Sequence, residues 1–411
     1  MNWSPQQSGA IDAVSRWLKT DQQVLRLFGY AGTGKTTLAK HLTQGAGNVY
    51  FAAYTGKAAS VMTNKGCPAS TIHSLIYMPS SRSRVKLLEL QEDLGQLYNE
   101  LRFEPEYNTY EEGEPSIEDH PEIKKLKEAI KEEQERLKKP SFVLNPDAEV
   151  GRADLIVIDE VSMVGDQIGR DLESFGVKIL VLGDPAQLPP VMGSGYFTDR
   201  KPDVMLTEIH RQAADNPIIE LATKVRTGEK LGVGQYGDSR VIDGKPDRAL
   251  VMGADQILVG KNLTRRQINL QMRRLLGRGH DDLPVAGDKV VCLRNDRDEG
   301  LLNGTLWEVT DTELVDGMEL MSLSIESGGR GTTVPAHTHY FKGIEDKLVY
   351  YEIRDAQCFD YGYALTAHKA QGSQWPNVFV FDESHVFRQN AKRWLYTAIT
   401  RAAEMITICR K

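Results

Sequence analysis

Six short runs rich in apolar and β-branched residues punctuate the chain: Val24–Phe28, Val49–Ala53, Leu155–Ile158, Ile179–Leu182, Gln256–Val259 and Val378–Phe381. Each is followed by a turn and then by a helix-like pattern. Strands of this composition are covered on both faces, and their alternation with helices predicts parallel sheets of the α/β type. The runs fall into two groups, so two α/β domains are expected.

Two stretches break that rhythm. Between 78 and 150, Leu87, Leu90, Leu94, Leu97 and Leu101 recur at spacings of three and four, and Ile123, Leu126, Ile130 and Leu137 do much the same in polar surroundings. Such stripes predict two helices packed along their length, joined by the acidic, Gly- and Pro-containing link Glu104–Pro121. The result is a helical hairpin inserted in the first domain; charge-laced faces of this kind are commonly solvated stalks without catalytic duty. Between 284 and 356 the runs shorten to Lys289–Leu293, Thr305–Thr310, Leu320–Ile325 and Leu348–Ile353, set between Gly- and Asp-rich turns. That spacing predicts a small β-barrel inserted in the second domain. The expected division is 1–77 with 151–191 for the first α/β domain, 78–150 for the hairpin, 192–283 with 357–411 for the second, and 284–356 for the barrel.

Composition narrows the class. A chain of 411 residues suits two or three domains, and 40% hydrophobic with 26% charged residues excludes a fibrous or wholly disordered protein. No stretch approaches the roughly 20 apolar residues that cross a bilayer, and MNWSPQQSGA lacks the basic and apolar regions of a signal peptide. A cytoplasmic protein without a membrane partner is therefore expected. Cys67, Cys292, Cys358 and Cys409 lie far apart, which predicts reduced thiols. A net charge of −7 argues at first against phosphate-rich partners. Residues 86–139, however, hold 16 acidic and 9 basic residues, so the whole excess sits there and the balanced remainder can carry a basic groove.

The chemistry begins with Gly29-Tyr30-Ala31-Gly32-Thr33-Gly34-Lys35-Thr36, placed directly after the first apolar run and before the helix-like Thr37–Leu42. This is the pattern and the context of a phosphate-binding loop. Its glycines let backbone N–H groups turn inward around phosphates, Lys35 can reach the β and γ oxygens, and the Thr36 hydroxyl can ligate magnesium. A second requirement is met where Leu155–Ile158 ends in Asp159-Glu160. Asp159 can hold the magnesium, and Glu160 can orient and deprotonate an attacking water. ATP and Mg2+ are the expected ligands. Hydrolysis also needs positive charge against the γ-phosphate, and Arg211 and Arg401 are candidates that physical reasoning alone would not single out.

The ordered motifs, from residue 3 to about 402, resemble superfamily 1 helicases, and within them the RecD/Dda-like branch. Ser4-Pro5-Gln6-Gln7 resembles the Q motif, which implies that Gln7 reads adenine. Ala53-Tyr54-Thr55-Gly56-Lys57-Ala58-Ala59 resembles motif Ia, and Ser70-Thr71-Ile72-His73-Ser74-Leu75 resembles the T-I-H-S-L element. Gly183-Asp184-Pro185-Ala186-Gln187-Leu188-Pro189-Pro190 is similar to motif III, where Gln187 would sense the γ-phosphate and couple it to the DNA groove. Leu206–Gln212 resembles motif IV with Arg211, Ala364–Gly372 resembles motif V, and Trp394–Ala402 resembles motif VI with Arg401 as its finger.

The resemblance implies two RecA-like domains with an SH3-like barrel in the second, and a motor that hydrolyses ATP to move along single-stranded DNA and unwind duplexes, 5′-to-3′. The catalytic set would be Lys35, Glu160, Gln187, Arg211 and Arg401, with magnesium on Thr36 and Asp159. Gln7, Gly32, Thr33, Gly34, Lys35, Thr36, Thr37 and Gly372 would hold the nucleotide. Thr55, Lys57, Thr71, His73, Thr366 and His368 would hold single-stranded DNA at junctions with duplex. Two departures are conservative, Tyr54 where proline is commoner and Ala370 where serine is frequent. A larger one is that family members often carry a short β-hairpin pin where this chain is expected to place long helices, which could dock a replication or repair protein. Rival readings are a translocase subunit that does not unwind by itself and an ATP-switched nucleic-acid-binding module.

Overall fold

The computed structural model describes residues 3–79, 85–102, 117–138, 142–190, 193–208, 216–278, 282–296, 298–315, 320–348 and 356–410. The chain opens with α1 (Pro5–Trp17), whose N-terminus is closed by a capping box between Ser4 and Gln7. β1 (Val24–Gly29), α2 (Lys35–Leu42), β2 (Val49–Ala53), α3 (Gly56–Asn64), β3 (Ala69–Thr71) and α4 (Ile72–Ile76) follow in alternation. β4 (Tyr77–Pro79) then pairs antiparallel with β5 (Phe142–Leu144), and α5 (Val85–Leu101) and α6 (Pro121–Lys138) lie between them in the chain and pack on each other. β6 (Leu155–Asp159), α7 (Asp166–Glu173), β7 (Lys178–Gly183) and β8 (Val204–Leu206) complete a six-stranded sheet in the order β3-β2-β6-β7-β1-β8.

Every pairing in that sheet is parallel. The pleat sends alternate residues to opposite faces, so the sheet carries two cores. Leu25, Leu27, Leu155, Val157, Leu180 and Leu182 meet α1, α2 and α3 on one face. Val24, Phe28, Ile156, Ile158, Ile179 and Val181 meet α4, α7 and Phe197 on the other. Each such buried side chain stabilises the fold by about 1.5–3 kcal/mol relative to exposure, which explains why these runs are apolar at nearly every position, Arg26 of β1 being paired with Asp203 at 3.8 Å.

Two expectations are corrected here. The boundary at 191 is too early, because β8 hydrogen-bonds to β1 and extends the first sheet to Leu206. Helices do not simply replace a hairpin either: the insertion opens and closes on the β4–β5 ribbon, with α5 and α6 beyond it. Within the helical pair Leu87, Leu90, Leu94 and Leu97 are only half-buried, while Leu101, Ile123 and Ile130 are buried. A pair of helices can cover one stripe each and no more. Tyr98 adds a polar clasp by donating to Glu118 (2.7 Å).

The second sheet is built from α8 (Pro217–Thr227), β9 (Gly234–Tyr236), β10 (Ser239–Asp243), α9 (Arg248–Met252), β11 (Gln256–Val259) and α10 (Asn262–Leu275), then leaves for the inserted strands. Those are β12 (Lys289–Cys292), β13 (Leu306–Val315), β14 (Leu320–Ser327) and β15 (Arg330–His337), then α11 (His339–Lys342) and β16 (Phe359–Tyr361). β17 (Ala364–Thr366), β18 (Trp375–Phe381), α12 (Ala391–Ile399) and β19 (Ala402–Arg410) return to the sheet, whose order is β17-β11-β18-β19-β10-β9 with β9 as its antiparallel edge.

The inserted strands form an antiparallel sheet in the order β15-β14-β13-β12-β16. A parallel bridge between Ala336 and Gln357 brings β15 to the segment entering β16, which curls the sheet towards closure. Part of the expected run Leu348–Ile353 lies outside the described residues. Trp307, Val309, Leu323, Ile325 and Val334 share one core with Ile257, Val259 and Phe379 of the second sheet. A buried ion pair, Arg273 to Asp288 at 3.0 Å, ties α10 to the start of β12. The insertion is therefore welded to its host domain rather than tethered to it. Among the described residues no helix is long and apolar enough to cross a membrane.

Candidate nucleotide site and nucleic-acid interface

The turn from β1 into α2 places Gly32 and Gly34 at φ 80° and 78°, backbone that a side chain would strain. This curls the loop so that its N–H groups and the positive end of α2 face one concavity, the arrangement that binds phosphate. Lys35 starts α2 and its Nζ donates to the carbonyls of Gly29 (2.6 Å) and Tyr30 (3.0 Å), so its ammonium lies within the loop it would serve. Thr33 is buried, and Thr37 is exposed on α2.

Thr36 Oγ1 donates to Asp159 Oδ2 at 2.7 Å. A hydroxyl and a carboxylate converging from α2 and β6 are the hard oxygen donors that suit magnesium, which commonly takes one or two protein oxygens beside those of its phosphates. Asp159 Oδ1 also accepts from the Glu160 N–H (2.8 Å). Glu160 adopts φ 55°, ψ 42°, and among the described residues only it and Arg388 are non-glycine residues with positive φ. Backbone strain of this kind costs about 1–3 kcal/mol and gathers at working sites. Burial pushes the Glu160 carboxyl up; Arg401 opposes that most strongly, then Asp159 raises it further and Lys35 lowers it.

Across the cleft, Arg401 is buried, with its guanidinium on Thr397 O (3.1 Å), Ser373 O (3.4 Å) and Thr400 Oγ1 (3.1 Å). The second domain thus holds this cation at the edge of the first domain's acids. Gln187 is buried, and its Oε1 finds no partner among the described residues. Arg211 lies outside the described residues. Gln7 donates to Thr33 O (3.2 Å) and closes the α1 capping box, so it ties α1 to the phosphate loop.

Gly372, expected to hold the nucleotide, lies where the second domain meets α3 of the first. Its φ of 76° turns the chain after β17 towards the first domain, where a Cβ would meet Thr55 Oγ1 at 2.9 Å and Ala58 Cβ at 3.0 Å. It packs against the N-terminus of α3, on the side of the residues expected to hold DNA. Thr55 and Thr71 serve as N-caps of α3 and α4 through Ala58 N (3.2 Å) and Ser74 N (3.2 Å). Lys57 is exposed beside them, and Thr366 closes β17 by accepting from Lys369 N (3.3 Å).

His73 sits among the rings of Tyr54 (6.1 Å), Tyr77 (5.5 Å) and Phe142 (6.1 Å), and His368 lies 5.5 Å from Phe387. Burial lowers the pKa of both, so each is neutral near pH 7. A cavity of about 460 Å³ opens between the domains, lined by Tyr54, Met163, Pro189 and Pro190 on one side and by His368 and Gln371 on the other. Of the residues expected to hold DNA, His368 lines this cleft, facing Tyr54 of the first domain, whose ring lies 6.1 Å from that of His73.

Reading motifs alone overlooked the residues that join the halves. Leu188 of the first domain is buried in the second domain's core, its N–H donates to Thr397 Oγ1 (2.9 Å), and its carbonyl accepts from Gln371 (3.1 Å). Asp184, buried, accepts from Tyr396 (2.6 Å). Burial pushes its carboxyl up and Lys35 opposes this. Gln6 accepts from the N–H groups of Thr207 and Glu208 (both 2.8 Å) and so fixes the exit of β8. All lie inside or beside the motif segments, but nothing in their spacing says that they pair.

Residues 3–247 match the family model described as AAA domain, and residues 361–409 match the UvrD-like helicase C-terminal domain. The chain is 32% identical over 281 residues to the ATP-dependent RecD2 DNA helicase of Deinococcus radiodurans, a match covering 61% of this chain and 35% of that protein. It is 25% identical over 291 residues to the conjugal transfer protein TraA of Rhizobium radiobacter, covering 61% and 24% respectively. The chain thus spans only about a third and a quarter of these relatives. In fold it is similar to Bacteroides Pif1 bound to single-stranded DNA (TM-score 0.52, 18% identity, 99% of this chain and 92% of that one). Pif1 helicase from Candida albicans is comparable (TM-score 0.50, 19% identity, 99% and 94%).

Proposed function

We propose, from the premise that the chain belongs to the AAA-domain family as a superfamily 1 RecD/Pif1-like member, that it is an ATP-driven motor that moves 5′-to-3′ along single-stranded DNA and unwinds duplex. The observation that carries this reading is the meeting of Lys35, Thr36, Asp159 and Glu160 from one sheet with Arg401 from the other, beside a second interdomain cleft lined by Tyr54 and His368. Two sites that share one hinge line can exchange free energy.

In this reading Lys35 and the loop N–H groups bind the phosphates, and Gln187 and Arg401 meet the γ-phosphate, joined by Arg211. Magnesium, when bound, screens phosphate charge and would be held by Thr36 and Asp159. Glu160 holds a water in line and takes its proton. Burial raises its pKa, which strengthens it as a base, and the nearby Arg401 opposes that rise. Thr55, Lys57, Thr71, His73, Thr366 and His368 hold the strand mainly by phosphate and stacking, so sequence preference is weak and salt dependence strong. The division into two RecA-like domains, a ribbon-based helical insertion and an SH3-like barrel belongs to the same proposal, with α5 and α6 as a dock for a replication or repair protein. That RecD2 is named a DNA helicase and that Pif1 was solved with single-stranded DNA supports this choice of track.

The test is magnesium-dependent ATP hydrolysis with and without single-stranded DNA, beside unwinding of duplexes with only a 5′ or only a 3′ tail. Stimulation with unwinding from the 5′ tail is expected. Unwinding from the 3′ tail would overturn the polarity, stimulation without unwinding would favour a translocase subunit, and no stimulation would remove the motor.

A further inference from the structure

The tip of the phosphate loop is gripped by the opposite domain. The Ala31 N–H donates to the Tyr396 hydroxyl (2.9 Å), and that hydroxyl donates onward to Asp184 Oδ2 (2.6 Å). Asp184 Oδ1 in turn accepts from Ala186 N (2.9 Å), which holds the turn leading to Gln187. Beside this, the Arg226 guanidinium of α8 lies 3.8 Å from the centroid of the Tyr30 ring. Tyr396 and Asp184 are both buried, so water cannot replace either bond.

We propose that Tyr396 is the positioning residue that couples the phosphate loop and the Asp184–Gln187 turn of the first domain to α12 of the second, and through α12 to Arg401. The inference rests on the ATPase reading above. Lys35 is held by the carbonyls of Gly29 and Tyr30, and the next amide along is the one that Tyr396 holds. A shift of the loop that frees Lys35 must therefore move or break the Ala31–Tyr396 bond. Tyr396 lies in α12, one turn and a half before Arg401, and Thr397 beside it carries both the Leu188 N–H and the Arg401 Nε. A rigid helix of nine residues passes the displacement on as a tilt. The phenol is the only side chain in this chain of bonds that both accepts from one motif and donates to another, a duty phenylalanine cannot perform. Arg226 on Tyr30 supplies the parallel grip, which keeps the tip against the second domain while the hydroxyl reports on it.

Tyr396→Phe keeps the ring and removes the relay. The experiment compares it with the unaltered chain for ATP hydrolysis across ATP and single-stranded DNA titrations, and for ATP consumed per base pair unwound. The expected result is a kcat at saturating DNA reduced about tenfold or more, with KM for ATP changed much less and more ATP consumed per base pair. A structural role alone would lower the active fraction and leave KM and the coupling ratio unchanged. Asp184→Asn should act on the same relay, so the double variant should be no worse than about the weaker single. Additive losses, or wild-type kcat and coupling in Tyr396→Phe, would overturn the proposal. If Tyr396→Phe does not melt cooperatively, Asp184→Asn alone reads the relay through the same two quantities. If the unaltered chain shows no DNA-stimulated hydrolysis, the motor reading fails instead, which separates the two failures.

Discussion

Gly372→Ala isolates the contact between the domains on the DNA side. The residue sits at φ 76°, so an alanine there carries a left-handed penalty of about 1–2 kcal/mol whether or not the domains touch. Its new Cβ would lie 2.9 Å from Thr55 Oγ1 and 3.0 Å from Ala58 Cβ, short of the usual separation of about 3.5–4.0 Å. Both neighbours are on the first domain and Gly372 is on the second, so parting the domains by about 0.5–1 Å relieves the clash. The overpacking cost of about 1–3 kcal/mol therefore falls on closure and not on either core. That corresponds to a fall of about 5- to 150-fold in DNA-stimulated turnover, with melting lowered only by the backbone penalty. The assay is ATP hydrolysis over a single-stranded DNA titration, paired with thermal melting. Adding Ala58→Gly removes the 3.0 Å contact and should restore part of the turnover, although α3 itself loses about 1 kcal/mol. Full DNA stimulation in Gly372→Ala, or no recovery on adding Ala58→Gly, would refute the reasoning.

Glu160→Gln should lower turnover by about 10²- to 10⁴-fold while leaving nucleotide binding measurable by calorimetry. The same carboxyl predicts the pH profile: the working form is deprotonated and burial raises its pKa, so activity falls with falling pH from above the ordinary carboxylate range. A limb at the ordinary range would contradict that burial. Asp288→Ala leaves Arg273 buried without its carboxylate and should destabilise the chain by about 3–5 kcal/mol in denaturant unfolding. Replacing Val85–Lys138 by a short turn should keep DNA-stimulated hydrolysis, because neither core of the first sheet includes a described residue of that segment. Loss of hydrolysis would mean that the sheet depends on the helices.

How legible the protein was depends on the range of the interaction. The central strands could be read directly, since a strand covered on both faces is apolar at nearly every position, and Val24–Gly29, Leu155–Asp159 and Lys178–Gly183 are buried almost throughout. Edge strands could not: Ala69–Thr71 and Val204–Leu206 are three residues long and carry no periodicity, and the second of these moved the end of the first sheet. The phosphate loop was equally plain, because its glycines, Lys35 and Thr36 are neighbours in the chain and their geometry is local. The convergence of Thr36 with Asp159 spans 123 positions, and the need of a phosphate loop for a metal carboxylate suggested it before distance could.

What only the tertiary structure decided are pairings between distant residues whose types are unremarkable. No sequence pattern assigns Tyr396 to Ala31, 365 positions away, or Leu188 to the core of the other domain. A hydroxyl or a leucine has many equivalent partners available, and packing selects one. Gly372 shows the same limit from the other side: its type announced a turn, but the direction of that turn, towards Thr55, follows from how two sheets meet. The chain order therefore determined which chemical groups the protein owns, and the packing of its domains determined which of them can act together, because coupling requires contact and contact between domains leaves no periodic trace in sequence.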